Sequence, residues 1–246
     1  MGSFKEGKHI LQLNLWDKIH KVKWNFLNVY GAPHDENKGD FLTELASFCS
    51  SSLEPFIIGG DFNLIKFSTE KNKANNISRF SRTFNSIIVY YDLIDLHMAG
   101  GKYTWSNNQN PPTLGRLDRI LVSKTWEDLF PRTMVYKLPR EVSDHNPFIL
   151  STCHQQPMPK TSFRFELSWL KDPQFNTLVQ EIWNKPCLAE TAFDRIQIKL
   201  KRFKQYFKGW SFNKFGEQKK EKLALQDELL LIEQLEECQC LDLSQL

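Results

Sequence analysis

The chain has 246 residues, 41% hydrophobic and 25% charged, with a formal net charge of +3. That length accommodates one large globular domain, or one domain with an appendage, and so small a net charge does not by itself imply a nucleic-acid partner. Residues 1–9 carry no apolar signal core, and no run approaches the ~20 apolar residues of a membrane span, so neither secretion nor membrane spanning is expected.

Residues 10–15 (Ile-Leu-Gln-Leu-Asn-Leu) alternate in the manner of a strand, and Val22 to Tyr30 reads as a second strand stopped by Gly31 and Pro33. The two form a predicted hairpin around Asp17 to Lys21. Phe41, Leu42, Leu45 and Phe48 recur at helical spacing after a polar start from His34 to Asp40. Phe56 to Ile58 is a short buried strand, expected to end at Gly59-Gly60. Phe80, Phe84, Ile87, Ile88 and Tyr91 mark a second amphipathic helix.

Lys102 to Ser106 and Leu117 to Val122 read as strands flanking the polar turn Asn107 to Pro112. Ser123 caps a predicted short helix holding Trp126 and Leu129, closed by Pro131. Met134 to Leu138 and Pro147 to Leu150 are the last strands. Strands interleaved with helices over short linkers indicate a layered α/β architecture.

The character changes after Leu150. Ser151 to Ser162, with Pro157 and Pro159, reads as a linker. Asp172 to Trp183 is a predicted helix with Asp172 as its N-cap and Pro173 at its first position. Ala192 to Trp210 is a second helix, with a stripe of Ile196, Leu200, Phe203, Phe207 and Trp210. Glu217 to Glu237 is a third, expected to return as an antiparallel hairpin partner or to form a short coiled coil. The segments are therefore 1–152 as a first domain, 153–162 as a linker and 163–246 as a helical region.

The five cysteines (Cys49, Cys153, Cys187, Cys238, Cys240) are odd in number, and the Cys238-x-Cys240 pair has no second pair to complete a zinc site. A reduced, intracellular compartment, nucleus or cytoplasm, is expected rather than a disulfide framework.

Three runs carry the possible chemistry. Phosphodiester hydrolysis needs an activated water, charge neutralisation on phosphate oxygens and help for the leaving group. Carboxylates hold divalent metal, and a histidine moves a proton or stabilises developing negative charge. Asp61 and Asn63 follow a buried strand and sit at its C-terminal edge, where α/β sheets build sites. Asp144 and His145 precede another strand, and their adjacent side chains diverge unless the backbone is irregular there. Read singly, Gly60-Asp61-Phe62-Asn63 and Ser143-Asp144-His145-Asn146 are ordinary turns, Asp118 between Arg116 and Arg119 is a surface ion pair, and Tyr30 is a core tyrosine.

Taken in order, Val29-Tyr30-Gly31-x-Pro33, Gly60-Asp61-Phe62-Asn63, Tyr103-Thr104-Trp105, Arg116-Leu117-Asp118-Arg119 and Ser143-Asp144-His145 resemble the endonuclease/exonuclease/phosphatase (DNase I-like) superfamily. The wording is closest to the endonuclease domain of plant non-LTR (LINE-type) retrotransposons, notably Asp92-Leu93-Ile94-Asp95-Leu96 followed by Gly100-Gly101 and Thr104-Trp105-Ser106-Asn107. The resemblance covers roughly residues 10–152. It implies an α/β (α+β) fold: the DNase I-like four-layer α/β/β/α sandwich, here incomplete at the N-terminus, with the site at one rim. The helical C-terminal region resembles the segment that joins such an endonuclease to a reverse transcriptase.

The resemblance also implies roles. Asp61 would orient or deprotonate the attacking water, and Asn63 would hold the phosphate. His145 would stabilise the phosphorane, with Asp118 bonded to its other ring nitrogen. Asp144 would assist metal or water placement. Tyr30, Trp105 and Asn107 would contact substrate. The cofactor implied is Mg²⁺ (or Mn²⁺), the substrate DNA, the product a 3′-hydroxyl that primes reverse transcription, and the further partners RNA or a reverse transcriptase module. The family's usual metal-binding Glu, in a Gln-Glu-Thr-like context, has no counterpart run in this sequence, so the expectation is a truncated fragment with weak or no activity. A separate, non-catalytic expectation is nucleic-acid binding by the basic stretch 195–222. There Arg195, Lys199, Arg202 and Lys208 would neutralise phosphates and the interleaved aromatics would stack on bases. The competing reading is an ordinary amphipathic helix whose aromatics face a core.

Overall fold

The computed structural model describes residues 3–73, 76–152 and 163–242, with side chains to residue 238. Most of the predicted linker therefore lies outside the described residues. The chain divides into two compact units, Met1–Gln155 with Gln226–Leu246, and Gln156–Leu225.

In the first unit, β1 (Phe4–Glu6), β2 (Ile10–Asp17) and β3 (Val22–Tyr30) pair antiparallel in sequence, as the alternation of 10–15 and 22–30 requires. Helix α1 (Asp35–Ser51) carries the chain over to β4 (Phe56–Asp61), which runs parallel to β3. Its buried face of Phe41, Leu42, Leu45 and Cys49 lies on the sheet. Helix α2 (Arg79–Tyr90) covers the same face with Phe84, Ile87 and Ile88. The Ser78 hydroxyl caps it by accepting the Ser81 N–H at 3.1 Å.

Strands β5 (Ile94–Asp95) and β9 (Asp118–Val122) complete a six-stranded sheet in the order β1-β2-β3-β4-β9-β5. The opposite face of that sheet, with Ile57, Ile120 and Val122, packs on a second apolar layer. This layer contains β6 (Met98–Ala99), α3 (Lys124–Leu129), β10 (Met134–Lys137) and β11 (Phe148–Ser151). The second sheet runs β11-β10-β6. The order helices, sheet, sheet is the arrangement expected for the first three layers of the α/β/β/α sandwich.

Three local expectations are corrected. The fourth strand does not stop at Gly59-Gly60 but runs through to Asp61. Gly60 has φ +141°, and a Cβ there would lie 2.1 Å from the Val29 carbonyl oxygen, so glycine serves close strand approach rather than a turn. The predicted strand at 102–106 shrinks to β7 (Trp105–Ser106), paired with β8 (Leu114–Gly115) across the polar turn. The strand expected over 117–122 begins at Asp118.

In the second unit, Phe163, Trp169, Phe175, Phe203, Phe207 and Trp210 form an aromatic core. Helix α4 (Phe175–Asn184) starts later than expected. Asp172 instead accepts the Gln174 N–H at 2.9 Å and ion-pairs with Lys214, which ends its use as a cap. The expected helical hairpin is replaced by one helix, α5 (Ala192–Asp242). The stretch Ser211 to Gly216 holds no proline, and a single glycine costs a helix only about 1 kcal/mol, too little to force a turn. Among the described residues, Cys49, Cys187 and Cys238 are free thiols. No helix among them is long and apolar enough to cross a membrane.

Candidate active site

The site forms where β3, β4 and β9 end side by side. Tyr30 pairs with Asp61 in parallel register, and Asp61 pairs with Asp118 in antiparallel register. Residues directly opposite on an antiparallel pair share a face, so the two carboxylates are brought together by strand register alone.

Asp61 is shaped by its turn. Its Oδ1 accepts the Asn63 N–H at 2.8 Å, and its Oδ2 accepts the Asn63 side-chain amide at 2.8 Å. Asn63 takes the left-handed conformation, φ 50°, which asparagine tolerates. The same amide donates to the Gly31 carbonyl at 2.9 Å. Both amide hydrogens of Asn63 are thus spent holding Asp61 and the 30–31 turn. Burial pushes the Asp61 carboxyl up to about 6, and the facing Asp118 charge adds to the rise.

His145 closes the group. Its Nδ1 lies 2.8 Å from Asp118 Oδ2, and its Nε2 lies 4.0 Å from Asp61 Oδ2. The Asp118 hydrogen bond raises its pKa above the ordinary imidazole value, against partial burial. Residues 141–144 are irregular rather than extended, and Asp144 lines the same cavity as His145. The Trp105 indole N–H donates to Asp144 Oδ2 at 2.9 Å, and that bond holds the Asp144 carboxyl below the usual range. Backbone bridging between Trp105 and His145 and the Ser106 N–H on the Asp144 carbonyl fasten this loop to β7.

A cavity of about 440 Å³ opens over these residues, lined among others by Tyr30, Asp61, Asn63, Trp105, Asp144 and His145. Tyr30 stands 64% exposed at its rim. Asp118 does not line it, being buried behind His145. Asn107, expected as a substrate contact, does not line it either. Its side-chain oxygen accepts the Gln109 and Thr113 N–H groups and so builds the 107–113 turn.

Three features escaped the motif reading. Thr104, fully buried, accepts the N–H groups of both Leu117 and Asp118 at 3.0 Å, setting the start of β9. Lys38 and Lys71 line the cavity as its cations, and no motif flags an isolated lysine. Arg119, read as a surface ion-pair partner, is fully buried. It bonds Glu70 at 2.9 Å, Asp95 at 3.0 Å and the Leu64 carbonyl at 3.2 Å, tying the loop after Asn63 to β9.

Asp61, Asp118 and His145 offer ligand atoms within 4.8 Å of one another. The oxygen donors suit a hard divalent cation, and a buried carboxylate with a raised pKa gains from one. Asp61 is the ligand left toward the cavity, because Asp118 Oδ2 faces His145. Asp144, expected as a metal ligand, is not in this group; its Oδ2 accepts the Trp105 indole N–H. No glutamate belongs to the group among the described residues.

The basic residues of the C-terminal region are dispersed. Arg202 donates to the Lys185 and Pro186 carbonyls, Lys199 lies over the Trp183 ring, and Arg195 and Lys208 are exposed. Phe203, Phe207 and Trp210 pack into the aromatic core, as the amphipathic-helix reading requires.

A family model described as the Endonuclease/Exonuclease/phosphatase family matches residues 5–145. The transposon TX1 uncharacterized 149 kDa protein of Xenopus laevis is 25% identical over 177 residues, covering 65% of this chain but only 13% of that protein. Among solved structures, the endonuclease domain of TRAS1, a telomere-specific non-LTR retrotransposon, is 14% identical. It has a TM-score of 0.46, over 61% of this chain and 66% of that one. A 3′ phosphatase, NExo from Neisseria, bound to a product DNA hairpin, is 18% identical with a TM-score of 0.45, over 60% of this chain and 65% of that one.

Proposed function

The chain belongs to the endonuclease/exonuclease/phosphatase family, and from that premise we propose that its first unit is a retrotransposon-type nuclease that nicks DNA with Mg²⁺. The observation that carries the proposal is the convergence of three separate stretches of chain: Asp61, Asn63 and His145 line one cavity, and Asp118 bonds His145 from behind it. The similarity to the Xenopus transposon protein supports the retrotransposon assignment.

Each residue has a physical role. Asp61, with a pKa near 6, is mostly ionised at neutral pH yet basic enough to accept a proton from an attacking water. Asn63 aims that carboxylate by bonding both of its oxygens, and in this arrangement it acts on Asp61 rather than on phosphate. Asp118 accepts the His145 Nδ1–H and favours the imidazolium, whose Nε2–H then meets negative charge developing on a phosphate oxygen. Lys38 and Lys71 attract the flanking phosphates. A divalent cation held by Asp61 would supply Lewis acidity at the phosphate. With no glutamate in that group among the described residues, the cation would bind weakly and activity would be low.

The test is nicking of supercoiled plasmid by the full chain, with and without His145→Ala, across a Mg²⁺ series. Slow nicking that climbs with Mg²⁺ and disappears in the variant is the expected result. Equal nicking by the variant, or none by folded wild type, overturns the proposal.

A further inference from the structure

Glu233, on α5, is 4% exposed, although it is a carboxylate on a helix rich in charge. Its Oε1 accepts the backbone N–H of Arg140 at 2.6 Å and the Arg140 Nε–H at 3.2 Å. Its Oε2 accepts the Asn146 side-chain amide at 2.8 Å, with Lys137 Nζ at 3.6 Å. Arg140 and Asn146 bracket the segment that carries Ser143, Asp144 and His145. One carboxylate therefore fastens both ends of that loop.

The neighbours one turn on repeat the pattern. Glu236 pairs with Arg140 at 2.8 Å, and Glu237 accepts from Lys137 at 2.7 Å and from the Lys102 N–H at 2.8 Å. Glu233, Glu236 and Glu237 share one face of the helix by their spacing. Gln226, nearer the start of the same stretch, donates to Glu141. Residues 139–144 form no strand, and Val142 is fully exposed, so the loop has little packing of its own. Other tethers hold the loop as well: the Asn146 N–H on the Thr104 carbonyl, the Asn146 amide on the Leu138 carbonyl, the Ser106 N–H on the Asp144 carbonyl, Arg140 on Asn108, His145 on Asp118, and the Trp105 contacts to Asp144 and His145.

We infer that Glu233 is a positioning residue of the nuclease site: the end of α5 latches the Arg140–Asn146 loop so that His145 meets Asp118. Glu233 faces two cations, Arg140 at 3.2 Å and the buried Lys137 at 3.6 Å, so neutralising it removes one of two counter-charges from each, Glu236 and Glu237 supplying the others. The kinetic consequence rests on the nuclease reading above; the structural one does not.

The experiment compares the full chain with Glu233→Gln by backbone hydrogen exchange and by duplex nicking over a range of substrate concentrations. A carboxamide cannot accept from both Arg140 and Asn146 without setting one donor against another. Exchange in residues 139–146 should quicken by about tenfold or more while β4 and β9 stay protected. The kcat should fall about 10- to 100-fold with KM nearly unchanged, as expected when a catalytic group is misplaced rather than lost. Glu236→Gln removes only an Arg140 side-chain contact, so it keeps the test open should Glu233→Gln fail to fold. It should show the same changes in smaller measure. Unchanged exchange in 139–146 overturns the latch. Faster exchange with unchanged kcat overturns the positioning role. Absent nicking by wild type counts against the nuclease reading alone, and the exchange result still decides the latch.

Discussion

Asp61 and Asp118 face each other across the β4–β9 pair, and His145 stands between them, 2.8 Å from the second and 4.0 Å from the first. One imidazole thus separates two carboxylates, Asp61 open to the cavity and Asp118 buried behind the ring. Their environments differ although their residue type does not.

Asp118→Asn should separate orientation from charge. The amide keeps the shape but no longer favours the imidazolium or fixes its Nδ1–H. Nicking should fall by about 10²–10⁴-fold with the fold intact. A nicking rate within a few-fold of wild type would show that Asp118 does not act through His145.

Proton uptake should stabilise the protein. Asp61 rises from 3.8 to about 6 on folding, and His145 rises above 6.5. Groups with raised folded pKa contribute stability that is complete below the unfolded value and is lost as pH rises through the folded value. Asp144 and Asp95, held low, act in the opposite sense only below about 3.8. In Mg²⁺-free buffer the Tm should therefore fall as pH is raised from about 4.5 to 8. Asp61→Asn should flatten the lower half of that slope, and a slope unchanged by this variant would refute the assignment.

Thr104→Val removes the one acceptor shared by the Leu117 and Asp118 N–H groups. Stranding one buried and one half-buried donor should cost about 1–3 kcal/mol in denaturant unfolding, and Thr104→Ser should recover most of it. Equal loss in both variants would point to the methyl group instead.

Arg119→Ala leaves Glu70 and Asp95 buried without their shared cation. A loss of about 3–5 kcal/mol is expected from urea titration. A near-neutral result would show that Arg116 and Lys66 suffice to hold Asp95.

Gly60→Ala places a methyl group 2.1 Å from the Val29 carbonyl oxygen at a φ of +141°. Strand β4 must then part from β3 just before Asp61, costing about 2–4 kcal/mol and misaligning Tyr30 with Asp61. A crystal structure of the variant with that register unmoved would contradict the account.

Much of the first unit was legible along the chain. The alternation of 10–15 and 22–30, the apolar spacing of Phe41 to Phe48, and the Ser123 cap each act over a few residues, and each appears where expected. The very short strands β5 and β6 were not legible, because two residues carry no period. Nor was the site's true shape. Along the chain nothing shows that the Trp105 indole engages Asp144, and Arg119 reads as a surface residue, yet Glu70, Asp95 and the Leu64 carbonyl enclose it.

The sequence by itself determined the family and the longer elements of the first unit, because these depend on residue pattern and local period. Only the tertiary structure decided which residues meet. Strand register set Asp61 against Asp118. The absence of a strong breaker near Gly216 let α5 run on as one helix. That helix carries Glu233 to Asn146, 87 residues away in the chain, where a charge that reads as solvated surface becomes a buried anchor. Burial and pairing at such separations follow from how the layers pack, and no local pattern encodes them.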